Sequence, residues 1–341
     1  MDARTALAPC FVHIGAPKTG TTYLQQFLHD NRAALRRQGL LYPEVSLRGY
    51  GHHDLAFLLA GGYPDWATPQ PRMLDDLAAE LDAATQGHAG PLLLSSEDFY
   101  LFPAPERLRE MLADVGVLAS HRPVIVVYVR RQDDAHVSWY NQTIKAQGHT
   151  HSLDECIEAS SALWDYEAQL GRWADAFGCD ALVVRPYETG QLVGGSLLRD
   201  FAHHVGIDLR GLAAPAGRVN GGLNRDVLEF QRQLNRLPLS HQEKRRFHRD
   251  LIALSARTAG TGLFDDRPLL DAPRRRAILA RYRDGNAAVA ARYLQRDRLF
   301  LDAPQDASRE VAAADAVEAG LTPDKLAAIV GWLATERAER S

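Results

Sequence analysis

The chain has 341 residues, 46% of them apolar and 24% charged, enough to bury a large core and unlike a disordered or low-complexity chain. Its net charge of −4 provides no global basic field for nucleic acid or an anionic membrane, so any bound anion must be held by a local site. Three scattered cysteines with no CxxC pair suit a reducing compartment and argue against a disulfide scaffold or a zinc cluster. No basic-then-apolar leader and no run of about 18 apolar residues is visible. The expectation is a cytoplasmic protein without an integral membrane segment and without nucleic-acid partners.

In chain order, the first apolar run, 10–15 (CFVHIG), reads as a buried strand. Gly15-Ala16-Pro17-Lys18-Thr19-Gly20-Thr21-Thr22 follows it, and Leu24, Phe27, Leu28 and Leu35 then fall on one helical face. A second strand is expected at 91–96 (PLLLSS), ending in Glu97-Asp98, and a third at 123–130 (PVIVVYVR), ending in Arg130. Ser138 follows Arg130 by eight residues, about two turns into the next helix. Leu163, Tyr166, Leu170 and Trp173 mark another helix, which Gly178 stops, and 180–185 (DALVVR) is the fourth strand. Beyond about Asn224 the pattern is helical, broken at Pro238, Gly260–Gly262 and Pro273. The alternation predicts an α/β fold of three α/β/α layers, with a central parallel sheet of about four or five strands and a helical C-terminal region.

The loop after the first strand is built for an anion. Small residues let backbone N–H groups share one concavity, a helix N-terminus adds partial positive charge, and Lys18 adds a full one. The nucleotide-triphosphate loop needs Lys directly after its second Gly, but Thr21 stands there and the loop's Lys lies upstream at Lys18. Nor is this G-x-G-x-x-G, because Pro17 occupies the second Gly position. Arg130 at a strand end can present a bidentate fork to a second phosphate. Arg131 reads as its solvated neighbour, and Asp133 and Asp134 as first-turn acids that complement a helix dipole. The phosphate loop, Ser95–Asp98 and Arg130–Ser138 all follow carboxyl ends of expected parallel strands, where open α/β sheets bind ligands.

The motif PKTGTT resembles the 5′-phosphosulfate loop of sulfotransferases that use 3′-phosphoadenosine 5′-phosphosulfate (PAPS), of a bacterial type with a P-loop-like fold. The resemblance spans roughly residues 11–294 and is most specific over the first 140. It implies transfer of a sulfuryl group from PAPS, released as adenosine 3′,5′-bisphosphate (PAP), to a hydroxyl or amine of a small-molecule or carbohydrate acceptor, without a metal. Lys18 would contact the phosphosulfate and stabilise the leaving group, while Thr19, Gly20, Thr21 and Thr22 would hold the 5′-phosphate. Tyr23 stands where many members have Trp near the adenine. Arg130 and Ser138 match the 3′-phosphate motif, and Arg218, in an R-x-N stretch, is a further candidate for that phosphate. Glu97 matches the general base, with Asp98 as the alternative. The domain expected spans 1–300, with a PAPS-binding core at about 10–210, a helical acceptor-side region at about 211–300, and a helical appendage at 301–341.

Two other classes fit parts of the pattern, a P-loop nucleotide kinase and a non-catalytic nucleotide-binding protein. The His52-His53 and His203-His204 pairs and the His149/His151 couple read as surface or packing residues, and His13 as a hydrogen-bonded core residue. Arg36-Arg37, Lys244-Arg245-Arg246 and Arg274-Arg275-Arg276 read as solvated helix faces. Tyr187-Glu188 reads as architectural.

Overall fold

The computed structural model describes residues 7–215, 222–302 and 320–338. From the first residue described to the third strand the elements are β1 (Ala8–His13), α1 (Thr21–Asp30), α2 (Arg32–Arg37), α3 (His53–Leu59), α4 (Leu74–Thr85), β2 (Leu92–Ser95), α5 (Asp98–Leu101), α6 (Pro105–Asp114), α7 (Val117–Ser120) and β3 (His121–Val129). There follow α8 (Gln132–Gln147), α9 (Leu153–Ala159), α10 (Tyr166–Phe177), β4 (Leu182–Pro186) and α11 (Leu197–Val205). The last are α12 (Arg225–Leu234), α13 (His241–Thr258), α14 (Ala272–Arg281), α15 (Arg283–Leu294) and α16 (Pro323–Ala338). All four expected strands are present, each end within two residues of its sequence-based position.

These elements form two compact units, each assembled from separate stretches of chain. The first comprises Met1–Arg131, Leu163–Ala216 and Tyr282–Asp302, and the second Gln132–Ala162, Gly217–Arg281 and Ala303–Ser341.

The first unit is an α/β fold around a four-stranded parallel sheet in the order β2-β1-β3-β4. The strands are β-branched or Leu-rich runs; β2 is buried on both faces and β1 and β3 nearly so, as parallel strands covered by helices require, while the edge strand β4 alternates buried and half-buried residues. On one face Phe11, Val124, Val126 and Tyr128 pack with Leu24, Phe27 and Leu28 of α1 and Phe201 of α11. On the other, α10 packs against β3 and α6, with Trp173 and Leu170 fully buried. The outer edge of β2 is covered by the chain at 41–52, where Leu41 pairs with Leu92 and His52 N–H reaches the Ser95 carbonyl at 2.8 Å. Because β1 lies between β2 and β3, chain connections depart to opposite sides there. Open α/β sheets bind ligands beyond the carboxyl ends of the strands at such a switch point, here those of β1 and β3.

The second unit is helical. Tyr140 and Ile144 of α8, Val227 and Leu228 of α12, Leu251 and Leu254 of α13, and Ile329 and Leu333 of α16 share one apolar cluster. The expected C-terminal helix therefore contributes to this core. Lys325 of α16 is buried and pairs with buried Asp226 of α12 at 2.6 Å, and Trp332 Nε1 donates to the Asp250 carbonyl at 3.0 Å. Among the described residues, no helix is long and apolar enough to cross a membrane.

Asp200 of α11 ties strand to helix in the first unit. It is fully buried and accepts from Tyr128 Oη on β3 (2.8 Å), Arg185 on β4 (2.7 Å) and Val193 N–H (2.9 Å). Burial would raise this carboxyl, but Arg185, the Val193 N–H and the Tyr128 hydroxyl outweigh it and hold the group below its ordinary range. Asp200→Ala leaves the Arg185 guanidinium only the Gln191 carbonyl and removes the acceptor of the Tyr128 hydroxyl, so the unfolding free energy in urea should fall by about 3 kcal/mol. An unchanged midpoint would mean that the network contributes nothing net.

Candidate active site

The strand-to-helix turn after β1 is held in a shape that few sequences tolerate. Lys18 has φ +67° and Gly20 φ +84°, so two of three successive residues are left-handed. A Cβ at Gly20 would also meet Leu197 Cδ2 at 2.4 Å, and one at Gly15 would meet Thr21 Cγ2 at 2.3 Å. Thr19 Oγ1 closes the turn on the Ala16 carbonyl at 2.7 Å. Gly20 is the N-cap of α1, with no side-chain cap and no acid in the first turn. The first backbone bond of α1 runs from Leu24 N–H to the Gly20 carbonyl, leaving the Thr21–Tyr23 N–H groups ahead of the helical ladder. Such a helix start attracts an anion.

Both flanking strands send a side chain to this turn. From beyond β3, Arg130 Nη1 donates to the Lys18 carbonyl at 3.0 Å. Its own backbone is fixed by buried Tyr166 of α10, which accepts from Arg130 N–H at 3.0 Å and donates to the Arg130 carbonyl. From beyond β2, Glu97 accepts the Thr21 hydroxyl at 2.6 Å. Burial pushes the Lys18 ammonium below its ordinary pKa, with Glu97 pulling it back up and Arg130 pushing it further down. Two cations are thus held close enough to repel, beside one carboxylate. A bound anion would relieve that repulsion.

Beneath the turn lie three histidines that the spacing did not distinguish. His13 ends β1, is fully buried, and has Nδ1 2.8 Å from Ser95 Oγ; its Nε2 has no partner. His52 is fully buried, with Nδ1 accepting from Ser95 N–H at 3.1 Å and Nε2 donating to the Pro43 carbonyl at 3.1 Å. His53 faces Asp98, Nδ1 to Oδ2 at 2.5 Å. The expected core role of His13 and packing role of His52 hold, whereas His53 belongs with the acids beyond β2. Asp98, the alternative base, is buried and engaged by His53.

No protein-family model matches the chain. The chain is 27% identical over 167 residues to an uncharacterized protein of Archaeoglobus fulgidus, covering 49% of this chain and 44% of that one. This chain thus spans less than half the length of that relative. Among solved structures it is similar to a sulfotransferase from Alicyclobacillus acidocaldarius, with a TM-score of 0.41 and 18% identity over 62% of this chain and 86% of that one.

The structure brings Lys18, Thr19, Gly20, Thr21, Glu97 and Arg130 together in the first unit. Thr22 is exposed, and half-buried Tyr23 packs against the apolar cluster under α1. Ser138 lies half-buried on α8 in the second unit. Arg218 lies outside the described residues. Two expectations are corrected. Arg131 is buried rather than solvated, donating to the Asp302 carbonyl at 3.1 Å, because a strand end inside the fold leaves its neighbour no route to water. Arg275 is also buried, bridging Asp133 and Asp134 at 2.7 and 2.8 Å, so these acids serve an ion pair as well as the first turn of α8. Among the described residues, no group of three or more His, Cys, Asp or Glu side chains is disposed to hold a metal ion.

Burial pushes His13 down to about 3 and His52 down to about 4. Both are neutral in the folded state and charge more readily once unfolded. Their contribution is complete above about pH 6.5 and is lost as pH falls toward the folded values. Urea unfolding at pH 5 should therefore show roughly 2 kcal/mol less stability per histidine than at pH 7.5. His52→Gln should remove about half of that pH dependence, and a flat profile between pH 7.5 and 5 would contradict the assignment.

Proposed function

We propose that this chain is a sulfotransferase that moves a sulfuryl group from PAPS to a hydroxyl or amine of a small-molecule or carbohydrate acceptor. The observation that carries this reading is the left-handed turn at Lys18 and Gly20 that opens a helix, held by Arg130 on the Lys18 carbonyl and by Glu97 on the Thr21 hydroxyl. PAPS presents two phosphate-bearing ends and a sulfonate between donor and acceptor. The turn and Lys18 would take the 5′-phosphosulfate, and Arg130 the 3′-phosphate.

In this scheme the acceptor oxygen attacks sulfur in line. Its proton passes to Glu97, the bond from sulfur to the 5′-phosphate oxygen breaks, and PAP departs with Lys18 neutralising that oxygen. Thr21 engages one carboxylate oxygen of Glu97, leaving the other to face the acceptor. A sulfonate carries less charge than a terminal phosphate, so positioned cations supply the stabilisation that ATP chemistry draws from magnesium. The P-loop kinase alternative is disfavoured, because the position where that class places its lysine holds Thr21, whose hydroxyl is engaged by Glu97.

Glu97→Gln should lower PAP release from PAPS by about 100-fold or more, while PAP affinity stays within about tenfold of wild type. Lys18→Ala and Arg130→Ala should each weaken PAP binding by about 10- to 100-fold, the range expected for a lost charge-assisted contact. Full turnover in Glu97→Gln would remove Glu97 as the base. Unchanged PAP affinity in both cation variants would remove the turn from the donor site.

A further inference from the structure

The strand pairing of β3 ends at Val129, whose carbonyl takes the Tyr187 N–H at 2.7 Å. Arg130 follows outside the ladder, so its backbone N–H and carbonyl must find partners elsewhere. Both go to one atom. Tyr166 Oη accepts the Arg130 N–H at 3.0 Å and donates to the Arg130 carbonyl at 2.5 Å. Burial pushes this phenol above its ordinary range and the Arg130 contacts pull it only partly back, so it stays protonated and able to donate. The N–H belongs to the peptide before the Arg130 Cα and the carbonyl to the peptide after it. A single hydroxyl therefore fixes both backbone angles of Arg130, and with them the direction in which its side chain leaves toward the Lys18 carbonyl.

The phenol is itself held. Tyr166 is buried, and its ring lies 6.4 Å from that of Phe300, also buried and tilted by 56°. Phe300 sits in a short strap, 299–302, bound along its backbone. Glu188 accepts the Leu301 N–H at 2.8 Å, Gln191 donates to the Leu299 carbonyl at 3.1 Å, and Arg131 donates to the Asp302 carbonyl at 3.1 Å. Arg130 and Arg131 thus rest on the same strap, one through Tyr166 and the other directly. A solvated arginine gains nothing from a fixed backbone. A fork that must meet a phosphate loses its fit over a displacement of about 1 Å.

Resting on the reading of Arg130 as the 3′-phosphate residue, we propose that Tyr166 sets the preference of this chain for a 3′-phosphorylated adenine nucleotide, with Phe300 seating its ring. Tyr166 is a positioning residue: it touches no ligand and acts through the Arg130 backbone. Two nucleotides separate this role from a general contribution to the fold. PAP and adenosine 5′-monophosphate share the 5′-phosphate, and PAP alone carries the 3′-phosphate that Arg130 would hold.

Calorimetric titration of the full chain with each nucleotide gives the ratio of the two affinities. Wild type should favour PAP by about tenfold or more, the contribution of a charge-assisted contact. Tyr166→Phe should cut that ratio by about fivefold or more, with the affinity for the monophosphate within about twofold of wild type. In an Arg130→Ala background the same substitution should leave the ratio unchanged, since the two residues act as one unit. Phe300→Leu removes no hydrogen bond and should cut the ratio by about twofold or more, and it carries the test if Tyr166→Phe does not fold. An unchanged ratio in Tyr166→Phe, or in Phe300→Leu where that is the folded variant, overturns the proposal. So does an equal loss for both nucleotides, or a ratio that still falls in the Arg130→Ala background, because either would make Tyr166 a residue of the fold alone. A wild-type protein without preference for PAP would instead remove Arg130 from the 3′-phosphate, and this inference with it.

Discussion

Everything proposed for the first unit depends on the turn from Gly15 to Thr21 being pinned from both flanking strands. Arg130 holds the Lys18 carbonyl from beyond β3, and Glu97 holds the Thr21 hydroxyl from beyond β2. Each pin is also a charge, and the proposed transfer would use both. Burial is the main depressant of the Lys18 ammonium; the carboxylate that fixes Thr21 pulls it back up, and the cation that fixes the Lys18 backbone adds a smaller push down. A left-handed Lys18 is a strained conformation, sustained by these contacts and by the glycines on either side. Rigidity of this kind suits transfer chemistry, in which prepaid positioning supplies much of the rate.

Below the turn, neutral imidazoles replace ordinary apolar packing. His13 and His52 converge on Ser95, one through its hydroxyl and the other through its N–H. They tie the carboxyl ends of β1 and β2 and the strand-edge segment before α3 into one hydrogen-bonded layer. Asp200 does the corresponding work for β3, β4 and α11. The second unit has its own apolar cluster and its own buried pairs, Lys325–Asp226 and Arg275–Asp133.

The sheet was readable because parallel strands buried on both faces leave short, continuous apolar runs such as LLLS and PVIVVYV, and these have no amphipathic alternative. The turn was readable because glycine and lysine at fixed spacing restrict the chemistry locally. Contacts between distant stretches were not readable. Arg275 reaches Asp133 across 142 positions, and His53 reaches Asp98 across 45. Nothing local separates the Arg131 guanidinium, buried on Asp302, from the surface arginines that the same pattern produces. The departure of Gln132–Ala162 into a second unit was equally silent, because α8 follows β3 with no linker composition between them. Helical spacing placed the Tyr166 ring in the core but said nothing of where its hydroxyl goes, onto the backbone of Arg130.

The most direct test is calorimetric titration of the purified protein with PAP, with ATP in parallel and magnesium absent from both. Tight binding of PAP and little or none of ATP is expected if the turn, Lys18 and Arg130 hold a bisphosphate without a metal. Preference for ATP, or binding of neither, would contradict it.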